Sequence, residues 1–179
     1  MTGPSAGDPA STSALGGALR SHAGRLADLV VDLEAAARRG ARTGRSGRGS
    51  SSEPADLAHP TDPTGRERDL VMRAATELDR VGGLLQGWTT TAVESAARIR
   101  ELEPALARFD LVVDGQLVVE RSGPSRVEPS KRLAERERLQ ELLNRVTAVR
   151  SRELARLRRE LEQSGSTLAA LSDRSRSGT

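Results

Sequence analysis

Residues 81–93 read Val81-Gly-Gly-Leu-Leu-Gln-Gly-Trp-Thr-Thr-Thr-Ala-Val93. They are either the turn of a helical hairpin or the interior of one long helix, and the architecture depends on which. The local residues favour a turn. Gly82, Gly83 and Gly87 each weaken a helix interior by roughly 1 kcal/mol relative to Ala. The β-branched Thr89, Thr90 and Thr91 are mediocre helix formers. Thr91-Ala-Val-Glu94 has the form of a capping box, and Gly87 suits the left-handed residue that closes a helix.

The long-range pattern favours a helix. Val71, Ala74, Leu78, Val81, Leu85, Trp88, Ala92, Ser95, Ile99, Leu102, Leu106 and Phe109 alternate at spacings of three and four without a break. A turn of arbitrary length keeps that phase about one time in seven, or two in seven if the two seam positions are interchangeable. The expectation is one long helix over 65–109, bent or weak near 82–91. Trp88 is then a knob in a helix–helix seam, and the neighbouring glycines make room for its indole on the partner face.

The flanks follow from local chemistry. Thr64-Gly-Arg-Glu67 reads as a capping box that starts the helix near 65. Pro104 kinks or restarts it, and it ends at Asp110. Leu111–Val119 is a hairpin signal, with Asp114-Gly115 suited to a type I′ turn. That turn pairs Val112 with Leu117 and Leu111 with Val118, within a ribbon over 111–120. Both of its faces are apolar. An isolated two-stranded ribbon is marginal, so this one should pack on helix ends or on a partner. Beyond the connection 121–130, a second long helix is expected over 130–164. Leu139, Leu142, Val146 and Val149 set one phase, and Leu154, Leu157, Leu161, Leu168 and Leu171 another, offset by a stutter. Glu141–Arg145 is a favourable pair on its outer face. Residues 166–179 read as a disordered tail.

At the other end, residues 1–12 are small and polar and read as disordered. A helix is expected over 13–39, with a seam of Leu15, Leu19, His22, Leu26, Leu29 and Leu33. Residues 40–64 are rich in Gly, Ser, Pro and Thr and read as a flexible linker. Arg38, Arg39, Arg42, Arg45 and Arg48 run into it without an acid between them.

Composition agrees with helix-on-helix packing. Aromatics make up 1% of the 179 residues, so burial falls to Leu, Val and Ala. Charged residues make up 30%, the mixture of long helices or coiled coils. The fold class expected is all-α, an elongated antiparallel helical bundle or coiled coil of three main helices with a small β-hairpin insertion.

The chain has no Cys and two His, His22 and His59, which excludes disulfides and thiolate chemistry and makes a His-rich metal site implausible. No phosphate-binding glycine loop, dinucleotide fingerprint or nucleophile elbow occurs. No catalytic, cofactor-binding or metal-binding residue is assigned, and the protein is not read as an enzyme. No window of 18 apolar residues is present, so no membrane insertion is expected. A signal peptide is not read at the start, and the expected location is cytoplasmic, although a secretion system that takes folded helical substrates would leave no mark of that kind.

A Leu/Ala-rich helical chain with a Gly87-Trp88 pair near its middle resembles the WXG100/ESX superfamily, the small helical-hairpin substrates and partners of type VII secretion. The resemblance covers about 66–110. The family has Trp-x-Gly in its turn where this chain has Trp88-Thr89-Thr90, and its Tyr-based secretion tag has no counterpart in a chain without Tyr. The resemblance implies an untagged partner or accessory of such a system. The expected function is non-catalytic protein–protein interaction by helix packing, as a homodimer or with a helical partner. The alternative is Arg-mediated nucleic-acid binding. It is suggested by the tract at 38–48 and by a last helix carrying ten Lys/Arg against six Glu over 129–165.

Overall fold

The computed structural model describes residues 8–45 and 63–177. The expectation of a linker therefore falls, for 46–62, outside the described residues, as does that of disorder for 1–7. The elements in order are α1 (Pro9–Arg45), α2 (Pro63–Arg100), α3 (Glu103–Arg108), β1 (Leu111–Asp114), β2 (Leu117–Glu120) and α4 (Pro129–Ser177). The fold is all-α with a small hairpin.

The opening question has a clear answer: α2 is unbroken through Gly82, Gly87 and Trp88. The three threonines bond inside the helix instead of capping a new one. The hydroxyls of Thr89, Thr90 and Thr91 donate to the carbonyls of Leu85, Gln86 and Gly87 at 3.0, 3.2 and 3.3 Å. The helix stops earlier than 109. Glu101 and Leu102 form a turn, Leu102 N–H donating to the Ile99 carbonyl at 3.0 Å, and α3 restarts with Pro104 in its first turn, where no N–H is needed.

Four boundaries differ from expectation. Residues 9–12 are helical. Asp8 caps them, its carboxylate accepting from the Ala10 and Ser11 amides at 3.2 Å each, with Pro9 as the first helical residue. Its carboxyl pKa is lowered chiefly by the Ser11 hydroxyl, then by those two amides. Helix α1 runs on through 40–45, where a linker was expected, and α2 begins at Pro63, so Thr64 lies inside its first turn and is not the cap. Helix α4 continues to Ser177 in place of a disordered tail. Its Ser166 and Thr167 hydroxyls bond back to the Glu162 and Gln163 carbonyls at 3.1 and 3.0 Å, which carries the helix through a stretch that reads as its end.

The chain divides into two compact units whose boundary falls within α2 and within α4. The first holds the residues up to Ser13 together with Leu85–Glu160. Its core is Leu106, Leu111, Val118, Leu139 and Leu143, with Ile99, Leu102, Phe109, Val113 and Leu142 packed around it. Leu111 and Leu139 are fully buried. Ile99 packs on the same core as Leu139, while Arg150, later in α4, lies over Trp88, earlier in α2, so the two helices run antiparallel here. The ribbon packs on the helices through the face that carries Leu111, Val113 and Val118, and Leu117 on its other face is exposed.

The hairpin turn lies one residue later than expected, so each pairing shifts by two positions. Val112 pairs with Val119, Val113 with Val118, and Asp114 with Leu117. The loop is therefore Gly115-Gln116, and Gly115 alone of the two has positive φ, +62°. Glycine at the first loop position is the requirement of a type II′ turn, whereas Asp114-Gly115 as type I′ needs positive φ at both. Gln140 of α4 matches this register: its Oε1 accepts from Val118 N–H at 2.7 Å and its Nε2 donates to the Gln116 carbonyl at 2.9 Å. One carboxamide thus occupies the outer edge of β2 as a neighbouring strand would, and closes it to strand addition.

The second unit holds Ala14–Leu84 and Leu161–Thr179. Here α1 lies antiparallel to the first half of α2. A Cβ on Gly82 would fall 2.6 Å from the Gly16 carbonyl oxygen and 2.4 Å from Arg20 Cγ, so the two backbones touch where Gly16 meets Gly82. Further along, Arg20 Nε meets Asp79 at 2.9 Å and Arg68 meets Glu34 at 3.0 Å. The α4 segment joins through Ser164, almost fully buried, whose hydroxyl is bonded by Arg80, itself paired with Glu77 at 2.8 Å.

No stutter divides α4. Leu143, Arg150, Leu157, Ser164 and Leu171 recur every seven residues and are all buried or half-buried. Two of them are polar, and each has a partner: the Trp88 ring for Arg150 and the Arg80 side chain for Ser164. A polar residue fits a seam position when its bonds are satisfied there.

Candidate interaction surface

Helix α1 carries more apolar surface than its neighbour covers. Its buried line is Gly16, Ala23 and Val30, with Leu19, Leu26 and Ala27 half-buried beside it. Of the seam expected from the sequence, only Leu19 and Leu26 face the protein. Leu15, Leu29 and Leu33 are each more than half exposed (55%, 52% and 55%), and His22 is exposed as well. The correction is a rotation of the helix by about one residue, some 100°. Its cause is the contact at Gly16 and Gly82: helices pack this closely only through small side chains, so α1 turns Gly16 and Ala23 inward and leaves larger residues on the flank.

The exposed flank lies along one face of the helix. Leu15, Ala18, His22, Leu29 and Leu33 follow the spacings of a single helix face. At its far end a groove of about 520 Å³ opens between α1 and the start of α2. Leu29, Val30, Leu33 and Ala37 line one wall and Gly65 and Val71 the other. The rim is ionic. Glu34 accepts from Arg38 at 2.8 Å and from Arg68 at 3.0 Å, and Arg68 also reaches Asp69 at 3.4 Å. These pairs are largely exposed and contribute only about 0–1 kcal/mol each. Their structural effect is to fix charged side chains around an apolar floor.

Elsewhere in this unit, Arg73 and Arg174 line two shallow grooves. One is shared with Arg66, Asp69 and Leu70; the other with Met72, Thr76, Glu77, Thr167, Ala170 and Leu171. Of the basic tract at 38–48, Arg38 is tied to Glu34, Arg39 is exposed, Arg42 and Arg45 belong to the last turns of α1, and Arg48 lies outside the described residues. His59 also lies outside them.

Glu77 is the one group of the α2–α4 seam here with a displaced pKa. Hydrogen bonds from Arg80, and secondarily from Ser164, hold its carboxyl below the ordinary glutamate value. Among the described residues no group of three or more His, Cys, Asp or Glu is placed to hold a metal ion. No helix among them is long and apolar enough to cross a membrane.

What the sequence reading missed is the outward stripe as such. It identified the residues but assigned them to the core, because a leucine periodicity does not say which of two adjacent faces is covered. Compared with protein-family models, with curated proteins and with solved structures, the chain matches none.

Proposed function

We propose that the protein is a non-catalytic helical interaction module, acting in the cytoplasm, that binds another helix along the outward face of α1. The observation that carries this reading is the exposure of Leu15, Leu29 and Leu33 in one stripe beside the groove at Leu33 and Val71. Contiguous exposed apolar surface with a polar rim is the usual mark of a protein–protein contact. The resemblance to WXG100/ESX proteins makes an accessory role in a type VII secretion system the more specific version of this reading. In that version Trp88 belongs to the interior of α2, half-buried against Arg150.

The test is site-specific photocrosslinking in the producing cell, with a benzophenone side chain at Leu33 and a control at the exposed Arg158. The expected result is a discrete adduct from position 33 alone. Equal adducts from both positions, or none from either, would overturn the reading.

The second reading, nucleic-acid binding, is favoured by Arg73 and Arg174 standing at two adjoining grooves. It calls for salt-dependent binding of DNA or RNA that weakens when both are changed to Ser.

A further inference from the structure

Helix α4 carries a basic row on the side away from its seam. Lys131, Arg138, Arg145, Arg152 and Arg159 recur every seven residues and are all exposed. The last three follow Leu143, Arg150 and Leu157 by two residues, which sets them roughly 200° round the helix from that seam. In the first half of the row each cation is answered by an acid one turn before it. Lys131 pairs with Glu128 at 3.1 Å, Arg138 with Glu135 at 3.0 Å, and Arg145 with Glu141. In the second half the same places hold Ala148 and Val149 ahead of Arg152, and Ala155 and Arg156 ahead of Arg159. Arg152, Arg156 and Arg159 have no ion-pair partner among the described residues. The nearby Glu153 and Glu160 are half-buried and lie off the face, roughly 80–100° from Arg152 toward the seam. Between 145 and 159 the outward face is thus arginine, alanine and valine without an acid.

We propose that this face of α4 docks an acidic helix of another protein, one that carries Asp or Glu at every seventh position. Charge names the sign of the partner: a run of unanswered arginines is complementary to carboxylates. The period names its form. Two helices lying side by side meet once every seven residues, so a seven-residue row of cations is matched by a seven-residue row of anions. The floor agrees. Ala148 and Ala155 are short, and Val149 is 39% exposed, so a low apolar strip runs between the long arginine side chains. Side chains of a packed helix cover such a strip, whereas a phosphate backbone leaves it in water. No aromatic stands on this face to stack a base. Two alanines and a valine also fall short of the wide, bulky apolar face with which a helix enters a lipid surface. The site lies within the first unit and does not rest on the reading of α1.

The experiment is fluorescence anisotropy of the full chain with two labelled Ala-based helical peptides of equal composition. In one, Glu recurs at every seventh position; in the other, the same glutamates are spread round the helix. Circular dichroism confirms that both peptides are helical and that each protein variant is folded. At physiological salt the periodic peptide should bind about tenfold tighter than its isomer. Arg152→Glu, Arg156→Glu and Arg159→Glu should each weaken it by about tenfold. Arg158→Glu makes the same change in net charge, but Arg158 stands roughly 120° from Arg152, off the face, and its loss should stay within about twofold. Equal binding of the two peptides, or an equal loss from Arg158→Glu, would show attraction to net charge alone and overturns the proposal. So does tighter binding of a DNA duplex, or of vesicles containing phosphatidylserine, than of the periodic peptide.

Discussion

The hairpin-centred unit and the α1-centred unit differ in what lies at their closest contacts. The first buries leucines: Leu111, Leu139 and Leu143 have almost no exposed surface, and the ribbon lies on them. The second buries the small residues Gly16, Ala23, Ala75, Gly82 and Ser164 beside Val30, Val81 and Leu171, and leaves Leu15, Leu29 and Leu33 more than half exposed. One gains its stability from apolar volume removed from solvent. The other gains close backbone approach and a bonded polar seam, and keeps its large side chains available. The same residue type thus takes two positions: Leu139 is fully buried in the first unit, and Leu29 is more than half exposed in the second.

The sharpest way to break this comparison is the same substitution made twice. Leu139→Ala should cost roughly 2–5 kcal/mol, since it opens a cavity in a filled core. Leu29→Ala should change stability by no more than about 0.5 kcal/mol, as surface substitutions do. Urea midpoints measured at high dilution decide it. Comparable losses at both sites would mean that α1 is covered on its outer face.

The next contrast lies within α2. Gly82→Ala should cost about 1–3 kcal/mol, because the added carbon meets the Gly16 carbonyl and Arg20. Gly83→Ala and Gly87→Ala have open space around them and should each stabilise by roughly 0.5–1 kcal/mol through helix propensity. Thermal midpoints of the three variants should move in opposite directions. A stabilising Gly82→Ala would show that α1 and α2 do not touch there.

The smallest expected effect is the pH response of the polar seam. Glu77 has a folded pKa below its unfolded value. Its contribution is therefore complete above the ordinary glutamate range and is lost as the pH falls through the depressed folded value. The stability difference between wild type and Glu77→Gln should be constant at neutral pH and disappear in acid. A difference unchanged down to strongly acidic pH would show that the carboxylate of Glu77 contributes nothing as an anion.

Much of the fold is legible in the sequence. The uninterrupted phase from Val71 to Ile99 outweighs three glycines and three threonines, and the structure shows why: the threonine hydroxyls bond backward into the helix. The hairpin is legible as an element but not in register, since Asp114-Gly115 and Gly115-Gln116 are both acceptable turns. Gln140, a residue far along the chain, fits only one of them. The rotation of α1 is not legible, because hydrophobicity ranks Leu29 above Ala23 while close helix packing ranks them the other way. The continuity of α4 is hidden for a related reason: Arg150 and Ser164 look like surface residues until their partners are known. The outward stripe that the proposed function rests on is thus composed of residues visible in the sequence, placed by a contact that is not.

The position of Trp88 has an optical consequence. The chain has one Trp and no Tyr, so absorbance near 280 nm and intrinsic emission come from a single indole. That indole sits in mid-helix, partly shielded, with a guanidinium 5.9 Å from its ring centre. The protein therefore carries a native probe of the α2–α4 contact at Arg150, free of overlapping signals. Any change in its emission wavelength or lifetime reports on the surroundings of that one indole without labelling the chain.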